Sequence, residues 1–167
     1  MDTNGKILFE ETQLFRVKWL WILIILCIVS STAITVGLAL SEKEKPHEAI
    51  IALAIVVPVE VIILYLFYIT KLETTITSEG IYYRWRPFQR KGWFIPKVDI
   101  ETAVLRDGPP LSYGYHWVPG YGWVNNTGPG KGIQLNLRNG KKIFLGTQIP
   151  APLQTALEKI TTVLQKV

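Results

Sequence analysis

Two long apolar stretches dominate the first seventy residues of the chain. Residues 19–40 contain no charged side chain, and residues 49–70 are interrupted only by Pro58 and Glu60. A helix rises 1.5 Å per residue, so about 20 residues cross the ~30 Å hydrocarbon core of a bilayer. The connector, residues 41–48, is too short for anything except a tight turn. The pattern therefore predicts a hairpin of two transmembrane helices, 19–40 and 49–70.

After Lys71 the long apolar runs give way to alternation with a period of two. Leu72, Thr74 and Ile76 fall on one face of a predicted strand, and residues 81–85 alternate in the same way after a turn at residues 78–80. Residues 93–95 and 98–105 are predicted as the next strands, with Pro96 at an edge or break. The pattern predicts a β domain of six or seven strands.

The clearest hairpin in this region covers residues 133–145. A two-residue Asn139-Gly140 turn would mix polar and apolar side chains on each face. A three-residue loop, residues 138–140 with Gly140 in the left-handed conformation, instead pairs Leu135 with Ile143 and Ile133 with Leu145. The second register gives one apolar face, and it is the one we predict.

The chain closes with an amphipathic helix beginning at Pro150. Its apolar stripe repeats at helical spacing and consists of Leu153, Ala156, Leu157, Ile160, Val163, Leu164 and Val167. Strands followed by one helix favour an α+β domain, residues 71–167, built as a small antiparallel barrel or sandwich that the helix caps. Residues 1–18 are interpreted as a leader on the same side of the membrane as this domain.

Three segments of the domain resemble a bacterial pleckstrin-homology-like (PH-like) domain. They are residues 72–81, the string Val98-Asp-Ile-Glu101, and residues 132–150 with Asn139-Gly-Lys-Lys142 and Gly146-Thr-Gln-Ile-Pro150. The helical hairpin followed by Gly120-Tyr-Gly-Trp123 is also similar to a family of small prokaryotic membrane proteins. The resemblance implies a fold and membrane tethering in a prokaryotic plasma membrane, without an associated reaction.

Charge is divided unevenly along the chain. Residues 1–70 contain five basic and seven acidic residues, whereas residues 71–167 contain thirteen and six. Eight basic residues flank the outer ends of the two apolar stretches, against Lys43 and Lys45 in the connector. Because positive loops stay inside, both termini are predicted to be cytoplasmic. The basic domain would meet anionic lipid headgroups, and we expect no nucleic-acid partner.

Glu60 is an ionisable residue inside a predicted membrane span, where a charge is expensive. One interpretation places it in the lumen of a small oligomeric transport or channel component. The other has it protonated and bonded to Ser31, Thr32 or Thr35, joining the two helices.

A basic set with interleaved aromatics follows the second span. Its candidate lipid-contacting members are Arg84, Arg86, Arg90, Lys91, Trp93 and Lys97. Cations would hold anionic headgroups while aromatic rings enter the interface. The alternative is that these residues only reflect the positive-inside bias.

Residues 108–132 are rich in Gly, Pro and aromatic side chains. The candidate partner-binding members are Tyr113, Tyr115, His116, Trp117, Tyr121 and Trp123. Such a stretch is either an ordered binding loop or strands whose rings partly complete the core.

Catalytic and metal-binding patterns are weak. Ser112, His116 and Asp107 could form a hydrolase triad, but no nucleophile elbow surrounds the serine. Each of the two histidines lacks a second ligand at metal spacing, and Cys27 lies alone in an apolar run. We expect no enzymatic activity, no cofactor and no metal. The predicted function is a membrane-anchored interaction or scaffold module whose partners are membrane lipids and a protein partner or a second copy of the chain.

Overall fold

The computed structural model describes residues 5–15, 17–41 and 46–161, which form two compact units. The helical unit contains residues 17–41 and 46–69. The β unit contains residues 5–15 and 70–161. The chain therefore leaves the β unit, forms the helical unit and returns.

The helical unit consists of α1 (Lys18–Ser41) and α2 (Pro46–Ile69). Both helices are long and apolar enough to cross a membrane, and few of their side chains are buried. A helix that is apolar all round and not covered by protein suits lipid better than water. Two helices at the predicted positions are confirmed. The predicted tight turn lies mostly in residues 42–45, outside the described residues.

The β unit contains nine described strands in two sheets, with α3 (Pro150–Thr161) at its C-terminal end. Sheet A has the order β1-β2-β3-β4, with bounds Ile7–Leu14, Lys71–Thr77, Gly80–Arg86 and Trp93–Pro96. Sheet B has the order β5-β8-β9-β7-β6, with bounds Ile100–Asp107, Lys131–Leu137, Lys142–Gly146, Gly122–Asn126 and Gly114–Val118. A single 3-10 turn, Lys97–Asp99, precedes β5.

The first strand is a correction to the sequence analysis, which treated residues 1–18 as a leader. Strand β1 pairs antiparallel with β2 along its whole length, from Ile7 opposite Thr77 to Leu14 opposite Lys71. The two helices are thus inserted between two neighbouring strands. Strand β1 and the strands β6 and β7 within residues 108–132 together raise the number of described strands above the six or seven predicted.

The inner faces of the two sheets and one side of α3 form the core. Phe9, Ile76, Ile81 and Ile95 line up across sheet A, and sheet B contributes residues such as Leu135. Helix α3 contacts β1 and β5, which are the edge strands of the two sheets on one side. Its apolar stripe is confirmed as far as the structure describes it, since Leu153, Ala156, Leu157 and Ile160 are buried. Val163, Leu164 and Val167 lie outside the described residues.

The predicted antiparallel barrel or sandwich is only partly confirmed. The described strands form two sheets without closing into a barrel. Sheet B is mixed, because β7 pairs parallel with β9, with Val124 opposite Phe144. The parallel pair arises because β8 does not lie next to β7 in the sheet. The chain passes from β7 to β8, and the β8–β9 hairpin then places β9 between them. What the structure shows is an α+β unit of two packed sheets and a C-terminal helix.

The predicted 133–145 hairpin register is confirmed. Ile133 lies opposite Leu145 and Leu135 lies opposite Ile143. The Gly140 N–H donates to the Leu137 carbonyl at 2.8 Å, and Gly140 has a φ of 78°. This is the left-handed conformation that a three-residue loop requires.

A buried polar cluster joins β1 to the turn before α3, and we call it the Glu11 clasp. The Glu11 carboxylate accepts hydrogen bonds from Thr147 Oγ1 at 2.7 Å and from the Gln148 backbone N–H at 2.6 Å. It also accepts a longer bond from Gln13 Nε2, which donates to the Gly146 carbonyl as well. The clasp links sheet A to the end of sheet B, and its central carboxylate is largely buried, since Glu11 is 7% exposed.

Candidate functional site

The corner of the sandwich opposite α3, between edge strands β4 and β6, is lined by a row of aromatic rings. Tyr83 from β3 contacts Trp93 from β4 with ring centroids 5.1 Å apart. Trp93 then stacks on Tyr115 from β6 at 5.6 Å, and Tyr115 stacks on Trp123 from β7 at 4.9 Å. The row crosses from sheet A to sheet B at the open edge of the sandwich. At the opposite edge, α3 covers the core.

These four rings form one wall of a groove of about 350 Å³, which we call the aromatic groove. Strand alternation explains the arrangement, because the four side chains lie on the inner faces of their sheets. Trp93, Tyr115 and Trp123 are 38%, 49% and 43% exposed, so the corner is open to solvent. The remaining lining residues are Phe94, Ile95, Pro96, Asp99, Leu137, Asn139, Lys141 and Ile143.

The groove combines apolar surface with polar groups at its mouth. Asp99, Asn139 and Lys141 provide a carboxylate, an amide and an ammonium group. Tyr83 is the buried end of the row, and burial raises the pKa of its phenol to about 12, with a smaller contribution from Tyr115. The phenol therefore stays neutral at physiological pH. Flat rings with a few convergent polar groups are typical of binding grooves.

Four of the six predicted partner-binding residues lie on two strands, so the predicted binding loop is a β-hairpin for much of its length. Tyr115, His116 and Trp117 belong to β6 and Trp123 belongs to β7. Of the six, Tyr115 and Trp123 line the groove, while Trp117 lies beside it, 59% exposed and opposite Trp123.

The other members of that set lie elsewhere. His116 points to the opposite face of β6, and Tyr113 lies in the segment before it. Tyr121 covers the outer face of sheet B, where its ring meets Phe144 edge-on and Arg106 lies 4.0 Å from the ring centroid. Tyr121 thus packs on the sheet surface from the turn between β6 and β7, outside the aromatic groove.

Ser112 and His116 form a hydrogen bond of 2.6 Å between Oγ and Nε2. Ser112 is only 5% exposed, so a substrate has little access to its hydroxyl. Among the described residues, no group of three His, Cys, Asp or Glu side chains is placed to hold a metal ion.

The predicted lipid-contacting set is divided by the fold. Arg84 and Arg86 are at the end of β3, Arg90 and Lys91 are in the loop that follows, and Trp93 belongs to the aromatic groove. Lys97 lies after β4, at the far end of sheet A, roughly 20 Å away at about 3.3 Å per residue. Only Arg86, Arg90 and Lys91 form an exposed basic group.

Arg84 forms an ion pair with Glu73 of the neighbouring strand. Its guanidinium lies 2.5 Å from the Glu73 carboxylate, which also receives Lys71 at 3.0 Å and Arg86 at 3.6 Å. Burial acts to raise the pKa of Glu73, but the hydrogen bonds and charges of Lys71 and Arg84 together outweigh it and lower that pKa below its ordinary value. Three cations around one carboxylate leave a net positive charge at this end of sheet A.

In the helical unit, Glu60 bridges the two helices. One carboxyl oxygen accepts a hydrogen bond from Ser31, and the other accepts one from Thr32 Oγ1 at 2.8 Å. Thr35 instead donates to the Ser31 carbonyl. The contacts match the interpretation of Glu60 as an interhelical bridge, which the sequence left open beside a transport role.

Several residues of these sites were not singled out from the sequence. Tyr83, Asp99, Asn139 and Lys141 reach the groove from three separate segments of the chain. The available signal was the alternation in β3, which places Tyr83 on the inner face with Ile81. The alternation of β3 does not predict which ring of the second sheet lies near Tyr83.

No protein-family model, curated protein sequence or solved structure matches this chain. The resemblance to PH-like domains therefore has no independent support.

Proposed function

We propose that this protein is a non-enzymatic interaction module, anchored in the cytoplasmic face of a membrane by α1 and α2, that binds an extended segment of a partner protein in the aromatic groove. The aromatic groove is the observation that carries the proposal. The PH-like character of the β unit and a prokaryotic plasma membrane remain part of the same proposal.

Strand pairing supports the two-span anchor. Leu14 and Lys71 are paired in one sheet, so they lie on the same side of any membrane that the intervening chain crosses. An even number of crossings follows, and two apolar helices provide it. Eight basic residues at this side against two in the connector favour the cytoplasm.

The surroundings of the groove favour an extended peptide as ligand. Strands β4 and β6 border it and are edge strands, with hydrogen-bonding groups on one side that no described strand uses. An extended segment can pair with such an edge or lay proline and aliphatic side chains on aromatic rings. Asp99 and Lys141 at the mouth add charges of both signs that would select the orientation.

The proposal is tested with a matched pair of tryptophan substitutions in the full chain. Trp123→Ala removes a groove ring, while Trp117→Ala removes the more exposed tryptophan directly opposite, which does not line the groove. Partners are crosslinked in native membranes, captured and quantified by mass spectrometry. We expect a specific set to fall at least tenfold with Trp123→Ala and to persist with Trp117→Ala. Equal capture by both variants would refute the groove as the binding site.

A further inference from the structure

The β unit has one end at which both connections to the helices leave it, and we call this the tether end. Strand β1 ends at Leu14 four residues before α1 starts, and one residue separates the end of α2 from Lys71. Leu14 pairs with Lys71, and Lys71 pairs with Arg86. These three residues define the tether end of sheet A.

The β3–β4 and β5–β6 loops of the β unit both open at the tether end. The β3–β4 loop, residues 87–92, leaves directly from Arg86. The matching end of sheet B is identified by hydrogen bonds to β1, from Gln148 Nε2 to the Leu14 carbonyl at 3.1 Å and from Thr127 Oγ1 to Gln13 Oε1 at 3.3 Å. The β5–β6 loop, residues 108–113, opens at that same end.

Each of these loops presents a large apolar side chain to solvent. Phe88 is 64% exposed in the first loop. Leu111, which follows two prolines in the second, is 83% exposed, the highest value among the described large hydrophobic residues. Neither side chain contributes to the core or to the aromatic groove. Exposed apolar tips on separate loops at one end suit an apolar surface facing that end.

The charges around the tips favour an anionic surface. Arg86 is half exposed, Arg90 and Lys91 are exposed beside Phe88, and Lys131 is exposed at the start of β8. The carboxylates nearby offset part of this charge, and a positive excess remains because Arg90 and Lys91 have no acidic neighbour in their loop. Glu73 is already shared by three cations, Glu11 is buried in its clasp, and exposed Asp107 lies opposite Lys131.

We infer that the tether end docks on the membrane surface itself, with Phe88 and Leu111 entering the interface and Arg86, Arg90, Lys91 and Lys131 contacting anionic phospholipid headgroups. The inference rests on the membrane anchoring of the proposed function and is independent of the groove. Each cation near an anionic leaflet raises the docking equilibrium constant roughly fivefold. The apolar side chains set how deeply the tether end enters the interface. The aromatic groove would then be held at a constant height and orientation relative to the membrane.

Environment-sensitive labels on the full chain test this docking. In a Cys27→Ala background, single cysteines replace Phe88, Leu111 or Val98, and each is labelled with a nitrobenzoxadiazole dye. Val98 is the matched control, because it is 72% exposed and follows β4 at the opposite end of sheet A. The labelled chains are reconstituted into vesicles of phosphatidylcholine, with or without 30% phosphatidylglycerol, and quenched with spin-labelled lipid.

Labels at positions 88 and 111 should shift to shorter wavelength and be quenched in anionic vesicles, and the label at 98 should not. Arg90→Glu with Lys91→Glu should reduce quenching at both positions several-fold, as should 0.5 M salt. Labels at 88 and 111 that stay as water-exposed as the one at 98 would overturn the inference, as would equal quenching at all three. Failure of the anchor itself is seen separately, as a chain that does not float with the vesicles.

Discussion

Replacing Glu11 should unfold the β unit more easily than replacing its neighbour Glu10, although both are glutamates of the same strand. Glu11 is buried and accepts three hydrogen bonds, two of them short. Glu10 is exposed on the other face of β1. The comparison therefore isolates the clasp from any general effect of removing a negative charge.

The expected magnitude follows from the bonds that each substitution removes. A hydrogen bond to a charged acceptor contributes about 1.5–3 kcal/mol, and a buried donor left without a partner costs about 1–3 kcal/mol. Glu11→Ala strands the Thr147 hydroxyl and the Gln148 N–H, so we expect a loss of roughly 3–5 kcal/mol. Glu11→Gln keeps one acceptor oxygen and should cost about half as much. Glu10→Ala should stay within about 0.5 kcal/mol.

The assay is urea unfolding of the full chain in a mild detergent, followed by near-ultraviolet circular dichroism. Trp85 provides a local signal, because its indole N–H donates to the buried Asn125 side chain at 2.9 Å. With an m value of about 2 kcal/mol/M, Glu11→Ala should lower the midpoint by roughly 1.5–2.5 M. Coincident midpoints for Glu11→Ala and Glu10→Ala would show that β1 contributes nothing to the β unit and that the clasp is misassigned.

Three further predictions concern other parts of the molecule. Gly140→Ala should destabilise the β unit by about 1 kcal/mol in the same assay and Gly140→Asn by less, because a φ of 78° disfavours a Cβ. Tyr83 should be the late-titrating phenol by absorbance at 295 nm, a step that Tyr83→Phe removes. The pKa of Tyr83 is about 12 in the folded protein, above the ordinary value of 10.0. The contribution of this phenol to the free energy of unfolding is therefore complete below pH 10 and declines as the pH rises towards 12, by up to about 1.4 kcal/mol per pH unit. The double substitution Ser31→Ala and Thr32→Ala should destabilise the helical hairpin by about 1–2 kcal/mol in a thermal melt, because it removes both hydrogen bonds to Glu60. In reconstituted vesicles, Glu60→Gln should leave ion flux at the wild-type level. If the wild type carries a flux that this variant loses, the transport interpretation is restored.

Features encoded by local periodicity could be predicted from the sequence. The two apolar helices, the pleat of β2 and β3, and the stripe of α3 each depend on neighbours within one element. The 133–145 hairpin could be placed to the exact register because only one loop length puts Ile133, Leu135, Ile143 and Leu145 on a single face. In each case the competing pattern would have buried polar side chains.

Strand β1 could not be recognised in this way because its inner face is mostly polar. Phe9, Glu11 and Gln13 point inward, and the two polar residues are satisfied by partners at the end of β9 and in the turn that follows it. Those partners lie far along the chain, so the local pattern resembles a solvated segment. The parallel pairing of β7 with β9 was missed for a similar reason, since it depends on where β8 passes.

The candidate site was predicted in part. The aromatic richness of residues 108–132 correctly drew attention to Tyr115 and Trp123, but strand alternation sends His116 to the opposite face. Trp93 was assigned to the lipid-contacting set, whereas packing of the two sheets brings it against Tyr115. Which rings share a groove is decided by contacts between sheets, and no spacing within one strand contains that information.

The insertion of the helical hairpin between β1 and β2 determines the order in which the protein can mature. During synthesis β1 emerges first and has no partner until both apolar helices and then β2 have been made. In the proposed anchoring, β1 and β2 can pair only when α1 and α2 cross the bilayer together, because a single crossing would leave the two strands in different compartments. For a chain anchored as proposed, a complete sheet A therefore requires that both helices have entered the membrane.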